Sequence, residues 1–372
     1  MKILMTGASG FIGSHLFPIL STSHDVHALT SDLLNFSEVR QEVESCNPDL
    51  VIHLAARTEV ERSFYEPMTF SQINYDGSIN LIETCKKLPN LRNFLFASTM
   101  EVYGWQPISD EVQHTGSFVQ SVAFDEHTAP NPNAPYAVAK FGVEKYLEYM
   151  HRSQGFPFTS LRQTNAYGRK DNDFFVTEQI ITQMLKNPSD VYLGYEKPFR
   201  NFIYVDDLIS AWVSLVEHTD SVNQGMIFTV GPDNPIQIGA WADIIAKKLN
   251  WHGQIHWNSK PTRPGEIYWL NSGNTLIHQV TGWHPLVEYD QGLDNTIDIW
   301  KKKLASYTMT DTKFTRTIVE DPDSPGELML DLGDEVCDHL GWQPGDVVEW
   351  IDNKDGSWTL RKSILPSTTT IL

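Results

Sequence analysis

Three glycines that directly follow a short apolar run constrain the fold of this chain more than any other feature. Gly7, Gly10 and Gly13 come after the predicted strand Lys2–Thr6 and open a segment of helical periodicity, Phe11–Leu20. Glycine at this spacing permits a tight turn, a close approach of backbone N–H groups to a phosphate and close packing of the helix on the strand. The pattern therefore predicts a dinucleotide-binding βαβ unit at the start of the chain.

The first half of the sequence alternates short apolar runs with longer segments whose apolar residues recur at helical spacing. The predicted strands are Lys2–Thr6, Val26–Leu29, Leu50–Leu54, Phe94–Ala97 and Thr159–Leu161, and the predicted helices are Phe11–Leu20, Phe36–Cys46, Gln72–Lys87 and Tyr136–His151. Such alternation produces right-handed βαβ units and a parallel sheet with helices on both faces. We therefore expect an α/β fold with a Rossmann-type, doubly wound parallel sheet.

Regions of different character succeed one another along the chain. Residues 1–305 are expected to form the α/β unit, with a smaller substrate lobe drawn mainly from 165–200 and 230–300, where glycine, proline and aromatic residues interrupt the periodicity. The polar stretch 306–312 predicts a linker. Residues 313–365 predict a small β-rich module, with strands at 314–319, 347–351 and 357–361 and a short helix at 334–340.

Charge and cysteine content exclude several classes of protein. The formal net charge is −19, which opposes general binding to nucleic acids or anionic membranes, so neither is an expected partner. The cysteines are few, lie far apart and show no metal-site spacing, which is typical of a reducing compartment; they are Cys46, Cys85 and Cys337. The chain lacks a signal-peptide pattern and an apolar run of the ~18–20 residues that span a bilayer. We expect a cytoplasmic protein without a bound metal.

Asp32 lies 19 residues beyond Gly13, close to the spacing of the acidic residue that binds the adenosine ribose in dinucleotide-binding folds. The predicted second strand ends before Asp32, so this residue either contacts the ribose or belongs to the next loop and faces the adenine. No lysine or arginine occurs from Ser14 to Val39, so the 2′-phosphate of NADP would lack a local cation. The sequence favours NAD over NADP.

Tyr136 and Lys140 are four residues apart on a predicted helix, which places a phenol and an ammonium group on one face. Tyrosine has an ordinary pKa near 10 and is a poor base at neutral pH. A neighbouring cation stabilises the phenolate, and lowering the pKa by about 3 units needs about 4 kcal/mol. Thr99 follows a predicted strand at the edge where open α/β sheets bind ligands, and its hydroxyl is suited to relay a proton. The three side chains predict an oxidoreductase centre.

Taken together, these motifs resemble the extended short-chain dehydrogenase/reductase superfamily, specifically its NAD-dependent nucleotide-sugar epimerase/dehydratase branch. The resemblance covers about residues 1–303 and is carried by T-G-A-S-G-F-I-G (6–13), H-L-A-A (53–56), N-Y-D-G-S-I-N-L (74–81), S-T-M-E-V-Y-G (98–104), Y-A-V-A-K (136–140), Q-T-N-A-Y-G (163–168), R-N-F-I-Y-V-D-D (200–207) and R-P-G-E (263–266).

The resemblance implies a role for each matched position. Tyr136 would be the base, Lys140 would hold the cofactor ribose and depress the tyrosine pKa, and Thr99 would assist at the C4 hydroxyl of the sugar. The implied cofactor contacts are Gly7, Gly10, Phe11, Ile12, Gly13, Asp32, Leu33, Leu54, Ala55, Ala56, Asn74, Tyr136 and Lys140. The implied contacts to the diphosphate and ribose of the substrate are Asn165, Arg200 and Arg263. Arginine suits phosphate because it binds phosphate oxygens bidentately.

The reaction itself depends on the fate of the 4-keto intermediate that oxidation of the sugar at C4 produces. Glu101 stands where dehydratases, decarboxylases and some 4-ketoreductases of the family carry a glutamate, and its carboxylate is a candidate base at C5. Met100 stands where several dehydratases carry an acidic aspartate, and a thioether cannot donate a proton. The segment Gln106–His127 is expected to form a lid or specificity loop.

We expect a nucleotide-sugar 4-epimerase first and a 4,6-dehydratase second, with a decarboxylase or 4-ketoreductase left open. A cofactor-binding regulatory or scaffold protein is the alternative from a different class. The presence of Thr99, Tyr136 and Lys140 together counts against that alternative.

The C-terminal segment resembles, more loosely, the swapped-hairpin modules of AbrB/MazE-type transcription factors. The likeness rests on L-G-W-Q-P-G-D (340–346) and D-N-K-D-G-S-W-T-L-R-K (352–362). Residues 311–362 hold 13 Asp or Glu against 5 Lys or Arg, a net charge of −8 that opposes a phosphate backbone. We therefore expect this module to aid dimerisation or tethering, and we expect a homodimer.

Overall fold

A computed structural model describes residues 1–115, 122–309, 318–320, 328–330, 348–352 and 358–362 of the chain. The chain divides into two compact units, Met1–Lys303 and Leu304–Leu372. Among the described helices, none is both long and apolar enough to cross a bilayer.

Eleven strands and thirteen α-helices are described from the start of the chain to residue 309, together with a π-helical turn and a 3-10 turn. The strands are β1 (Lys2–Thr6), β2 (Asp25–Ala28), β3 (Leu50–His53), β4 (Asn93–Thr99), β5 (Phe158–Gln163), β6 (Asn165–Tyr167), β7 (Asp190–Tyr192), β8 (Phe199–Tyr204), β9 (Gln224–Val230), β10 (Pro235–Gln237) and β11 (Gln254–His256). The helices are α1 (Phe11–Leu20), α2 (Phe36–Cys46), α3 (Val60–Ser63), α4 (Pro67–Ser71), α5 (Gly77–Cys85), α6 (Pro107–Thr115), α7 (Pro135–Gln154), α8 (Val176–Lys186), α9 (Val205–Glu217), α10 (Thr219–Val222), α11 (Ile238–Leu249), α12 (Thr275–Thr281) and α13 (Tyr289–Met309).

Six parallel strands form the main sheet, in the order β2-β1-β3-β4-β5-β9. The central strands β3 and β4 are buried along their whole length, as expected for apolar runs covered on both faces. Successive side chains of β1 point to opposite faces, so Ile3 and Met5 pack into one hydrophobic core and Leu4 into the other. The predicted Rossmann-type, doubly wound sheet is confirmed.

The predicted strands and helices of the first half coincide closely with observed ones. The helix predicted over 72–87 differs in detail, because it begins with a π-helical turn, Gln72–Asp76, and its α-helical part, α5, ends at Cys85. The sequence pattern also does not predict β9, the sixth strand of the sheet. Its apolar pattern is weak at its start, and pairing with the distant β5 places it.

A smaller lobe of the same unit is built from the sheets β10-β8-β6 and β11-β7 with α8 and α11. Its core is aromatic. Trp241 of α11 stacks on Phe202 of β8 with ring centroids 4.6 Å apart, and Tyr167 of β6 meets both rings edge-on. These elements come from residues 165–204 and 235–256, where irregular sequence predicts a substrate lobe.

The described part of the segment 106–127, for which the sequence predicts a lid or specificity loop, contacts residues Trp269 and Ser272. It contains α6, and the indole Nε1 of Trp269 donates to the carbonyl of Val122 at 2.9 Å. Phe124 forms an isolated bridge with Ser272 and is buried in a small apolar cluster with Trp269.

In the C-terminal unit the structure describes two antiparallel strand pairs. The strands are β12 (Ile318–Glu320) with β13 (Leu328–Leu330), and β14 (Val348–Asp352) with β15 (Trp358–Lys362). Helix α13 continues to Met309, so residues 306–309 of the expected linker are helical instead. The rest of the linker and the predicted helix 334–340 lie outside the described residues.

Candidate active site

A cavity of ≈ 610 Å³ opens where β1, β3, β4 and β5 end, the edge at which open α/β sheets bind ligands. Most predicted site residues lie on its wall: Gly7, Gly10, Phe11, Ile12, Gly13, Leu54, Ala56, Thr99, Glu101, Tyr136, Asn165, Arg200 and Arg263. The other predicted residues do not line it in the described structure: Asp32, Leu33, Ala55, Asn74 and Lys140.

The glycine loop is packed so closely that side chains at two of its positions would collide with backbone. A Cβ on Gly13 would lie 2.2 Å from the carbonyl oxygen of Gly7. Gly7 itself has a φ of +70°, and a Cβ there would lie 2.7 Å from the backbone nitrogen of Ala55. At Gly10 the nearest atom is 3.2 Å away, and this residue faces the cavity at the start of α1. A loop of this shape fits the pyrophosphate of a dinucleotide.

A chain of buried hydrogen bonds fixes the strand ends behind this loop. Thr6 Oγ1 accepts from the N–H of Ala55 and lies 2.7 Å from Nδ1 of His53. The other ring nitrogen of His53 lies 2.8 Å from the hydroxyl of Ser78, which donates to the carbonyl of Asn74. Burial, together with the Lys140 charge, lowers the pKa of His53 to about 3, so the ring is neutral.

Asn74 fixes the backbone at Arg57, in the segment that follows β3. Its side-chain oxygen accepts from the N–H of Arg57, and its side-chain nitrogen donates to the carbonyl of Arg57, each at 2.8 Å. Ala55 and Asn74 thus shape the cavity wall from behind. His53, which belongs to the motif H-L-A-A, links Thr6 of β1 to Ser78 of α5 through its two ring nitrogens.

Asp32 lies in the loop after β2, where its side chain accepts a hydrogen bond from within the loop, and it does not line the cavity. Its Oδ1 accepts from the N–H of Leu34 at 3.0 Å, and Leu33 packs against Gly77. The carboxylate at the end of β2 instead comes from Glu42 of α2, which accepts from the backbone N–H groups of Thr30 and Ser31. Sequence spacing cannot reveal this contact, because α2 brings Glu42 back to the strand only after folding.

The predicted oxidoreductase centre assembles at the junction of β4 and α7. The side chains of Thr99 and Tyr136 both lie on the cavity wall. Burial raises the pKa of Tyr136, and the hydroxyl of the neighbouring Thr99 opposes that shift because it favours the ionised form of the phenol. Lys140 lies behind it, where Nζ donates to the carbonyl of Ala97 at 2.8 Å, and burial lowers the pKa of Lys140 to about 7, opposed by the Glu144 carboxylate.

Glu101 and Met100 separate in the folded chain although they are neighbours in sequence. Glu101 lines the cavity and is 7% exposed. Burial raises the pKa of its carboxyl group, and the charges of Arg200 and Arg263 oppose that shift. Met100 is 1% exposed and packs in an apolar cluster with Tyr103. The 3-10 turn Met100–Tyr103 after β4 sends the two side chains to opposite sides.

Arg200 and Arg263 reach the cavity but are both held by Glu266. Arg200 Nη2 donates to Glu266 Oε1 at 2.9 Å, and Nη1 donates to the carbonyls of Phe199 and Ile267. Arg263 Nε donates to Glu266 Oε2 at 3.2 Å. The matched motif R-P-G-E contains Glu266, but the sequence reasoning assigned no role to this residue. The cluster places two cations and two carboxylates, Glu101 and Glu266, at one end of the cavity.

Asn165 follows β5 and lines the same cavity, with its buried Oδ1 lacking a hydrogen-bond partner. An unpaired buried amide oxygen is costly unless a ligand satisfies it. In the described part of the chain, no group of three or more His, Cys, Asp or Glu side chains is arranged to hold a metal ion.

The sequence matches a family model described as "NAD dependent epimerase/dehydratase family" over residues 3–231. A dTDP-D-glucose 4,6-dehydratase of Dictyostelium discoideum is 32% identical over 276 residues, which are 67% of this chain and 62% of that protein. A putative UDP-glucose 4-epimerase of Methanocaldococcus jannaschii is 27% identical over 322 residues, covering 81% of this chain and 98% of that protein. The chain thus spans less than two thirds of the first relative and almost all of the second.

Among solved structures, the fold matches the UDP-glucose 4-epimerase of Thermotoga maritima, determined with UDP-glucose. The TM-score is 0.71 at 25% sequence identity, and the match covers 82% of this chain and 100% of that one.

Proposed function

Because the chain belongs to the NAD dependent epimerase/dehydratase family, we propose that it is a nucleotide-diphosphate-sugar 4-epimerase that works through oxidation at C4. The observation that carries this proposal is the site around Thr99 and Tyr136. A proton-transfer pair lies on the cavity wall, while the neighbouring position 100 offers no acid to the cavity.

Bound NAD supplies the chemistry of taking a hydride from C4 of the sugar and returning it. The protein must remove and restore the proton of the C4 hydroxyl. Tyr136 is the base, and the hydroxyl of the neighbouring Thr99 relays or orients that proton. A positive charge on Lys140, one helical turn further along α7, favours the phenolate form that burial alone disfavours.

Substrate recognition is assigned to Arg200, Arg263 and Asn165, whose side chains line the same cavity. Arg200 and Arg263 would bind the diphosphate bidentately, exchanging part of their contact with Glu266 for contact with phosphate oxygens. Asn165 offers its unpaired Oδ1 to a hydroxyl or N–H donor of the substrate. The relatives whose names include UDP-glucose or dTDP-D-glucose support a nucleotide-diphosphate hexose as the substrate class.

Epimerisation is favoured over dehydration by the surroundings of Met100. Loss of water from C6 needs a proton donor at the leaving hydroxyl. The side chain that follows Thr99 is an apolar thioether in a closed cluster with Tyr103, so it neither donates nor faces the sugar. An epimerase needs no such donor.

One observation favours a 4,6-dehydratase as the second candidate. Glu101 is buried on the cavity wall, and its raised pKa lies in the direction that suits a group that takes and gives protons. In an epimerase the same carboxyl group would hydrogen-bond a sugar hydroxyl.

Mass spectrometry with chromatography decides between these reactions. Purified full-length protein is given NAD and a panel of UDP-, GDP-, CDP- and dTDP-hexoses. The proposal expects a product of unchanged mass and shifted retention, retained within about tenfold in Glu101→Gln and lost in Tyr136→Phe. Loss of water that disappears in Glu101→Gln would contradict the epimerase and establish the dehydratase, and loss of carbon dioxide would indicate a decarboxylase. If no sugar in the panel reacts, the binding-protein alternative gains support.

We also propose that the chain forms a homodimer through helices near the cavity. Large apolar side chains are exposed on or beside α4 and α7: Tyr65, Met68, Val138 and Tyr149. A patch of this kind on a soluble domain marks an interaction surface. Light scattering on the full chain and on a chain ending at residue 309 tests this, because a dimer carried by these helices persists after truncation, whereas one carried by the C-terminal module is lost.

A further inference from the structure

One partly buried cation on the cavity wall, Arg169, has no role in the proposed reaction. Arg169 follows β6 and its side chain is 12% exposed. Its guanidinium carbon lies 4.3 Å from the ring centroid of Phe11 and 3.7 Å from that of Phe175. Phe11 is the first residue of α1, directly after the glycine loop. The contact therefore joins the chain after β6 to the loop that is shaped for a dinucleotide.

The pairing of Arg169 within the protein is incomplete. It donates from Nη1 to the carbonyl of Ala166. The nearest carboxylate is Glu178 Oε2 at 3.8 Å, which is too far for a hydrogen bond, and that oxygen is buried without a partner. The rings of Phe11 and Phe175 lie near the guanidinium carbon, so the N–H groups in the guanidinium plane remain available as donors. Since Arg169 lines the cavity, these donors are available to an anionic ligand that binds there.

The glycine loop lacks a cation of its own. From Ile3 to Val39 the sequence contains no lysine or arginine, so the segment of β1, the glycine loop and α1 brings no Lys or Arg side chain to a phosphate. Among the described basic residues on the cavity wall, Arg200 and Arg263 are held by Glu266 at the substrate end. Arg169 is the one in ring contact with the loop.

We propose that Arg169 binds the pyrophosphate of the dinucleotide cofactor, with Phe11 and Phe175 holding its guanidinium in place. The Arg169 guanidinium then neutralises part of the negative charge of the two phosphates, at a glycine loop that has no Lys or Arg of its own. The inference rests on the cofactor of the family and not on the sugar reaction, so it stands whether or not the chain is an epimerase.

Binding measurements on full-length protein test this assignment. NADH is titrated into wild type, Arg169→Met, Arg169→Lys and Lys170→Ala, and the ligand fluorescence is followed. Arg169→Met keeps an apolar stem between the rings, and we expect NADH to bind about 10- to 100-fold more weakly. Lys170 is the next residue, is exposed and lines the same cavity, so Lys170→Ala is the matched control, with affinity within about twofold of wild type.

Ligand fragments locate the contact. By isothermal titration, ADP-ribose should weaken as much as NADH in Arg169→Met, while adenosine and UDP keep their wild-type dissociation constants. If NADH binds Arg169→Met within about twofold of wild type, or if UDP weakens as much as NADH, the assignment is overturned. Should Arg169→Met fail to fold, Arg169→Lys decides, since it keeps the charge but loses the planar fork. It should bind ADP-ribose several-fold more weakly, and unchanged affinity there would also overturn the proposal.

Discussion

Replacing Gly13 with alanine sets two opposite effects against one another. Gly13 lies in the first turn of α1, where alanine improves helix propensity by about 1 kcal/mol. The added Cβ would lie 2.2 Å from the Gly7 oxygen and 2.7 Å from the Ala8 Cα, both backbone atoms that no side-chain rotation can move. Overpacking of this kind costs ~1–3 kcal/mol or more. A 2.2 Å collision with backbone belongs at the upper end of that range, so after subtraction of the gain in propensity we expect the free energy of unfolding to fall by about 2 kcal/mol.

Urea unfolding of Gly13→Ala measures the loss of stability, and NADH titration measures whether the altered glycine loop binds the cofactor more weakly. Gly239→Ala is a matched control, since Gly239 also lies in a first helical turn, that of α11, and its Cβ would meet nothing closer than 3.5 Å. That variant should unfold at the same or a higher urea concentration, and its NADH affinity should not change. A Gly13→Ala protein as stable as wild type, with wild-type NADH affinity, would refute the packing described for the glycine loop.

Three further substitutions test buried groups around the site. The pKa of His53 is about 3 in the folded protein and 6.5 for a free side chain, so the unfolded chain binds the extra proton and stability is lost as pH falls from 6.5 towards 3. The loss is about 2 kcal/mol at pH 5. The variant His53→Gln should therefore show a smaller difference than wild type between the free energies of urea unfolding at pH 8 and pH 5. Glu144→Gln should cost about 3–5 kcal/mol in urea unfolding because it leaves the buried Arg162, which is hydrogen-bonded to Glu144 at 2.7 Å, without its counter-charge, and a cost below 1 kcal/mol would contradict this. Tyr136→Phe should lower turnover by about 10²- to 10⁴-fold with NADH affinity within about twofold of wild type, and full turnover would show that another group is the base.

Much of the fold and several of the candidate site residues could be predicted from local sequence. The periodicity of the first half predicts the parallel sheet, and the glycine spacing predicts the dinucleotide loop; the family, the enzyme class and NAD as cofactor are confirmed. Tyr136 and Lys140 are four residues apart on one helix, so their proximity follows from helical geometry alone. Each of these features depends on residues close together in the chain.

The remaining features needed the folded chain because they join residues far apart in sequence. No local pattern places Glu42 at the end of β2, Glu266 between two arginines, or Arg169 against Phe11. The same reason explains β9, whose weak apolar pattern becomes a strand through pairing with β5. Glu101 and Met100 show the limit most clearly, since adjacent residues receive opposite surroundings from a single turn. Short-range geometry is enough to predict the first five strands of the sheet, the glycine loop and the proximity of Tyr136 to Lys140, whereas the packing of distant segments determines which charges meet in the cavity and which side chains face it.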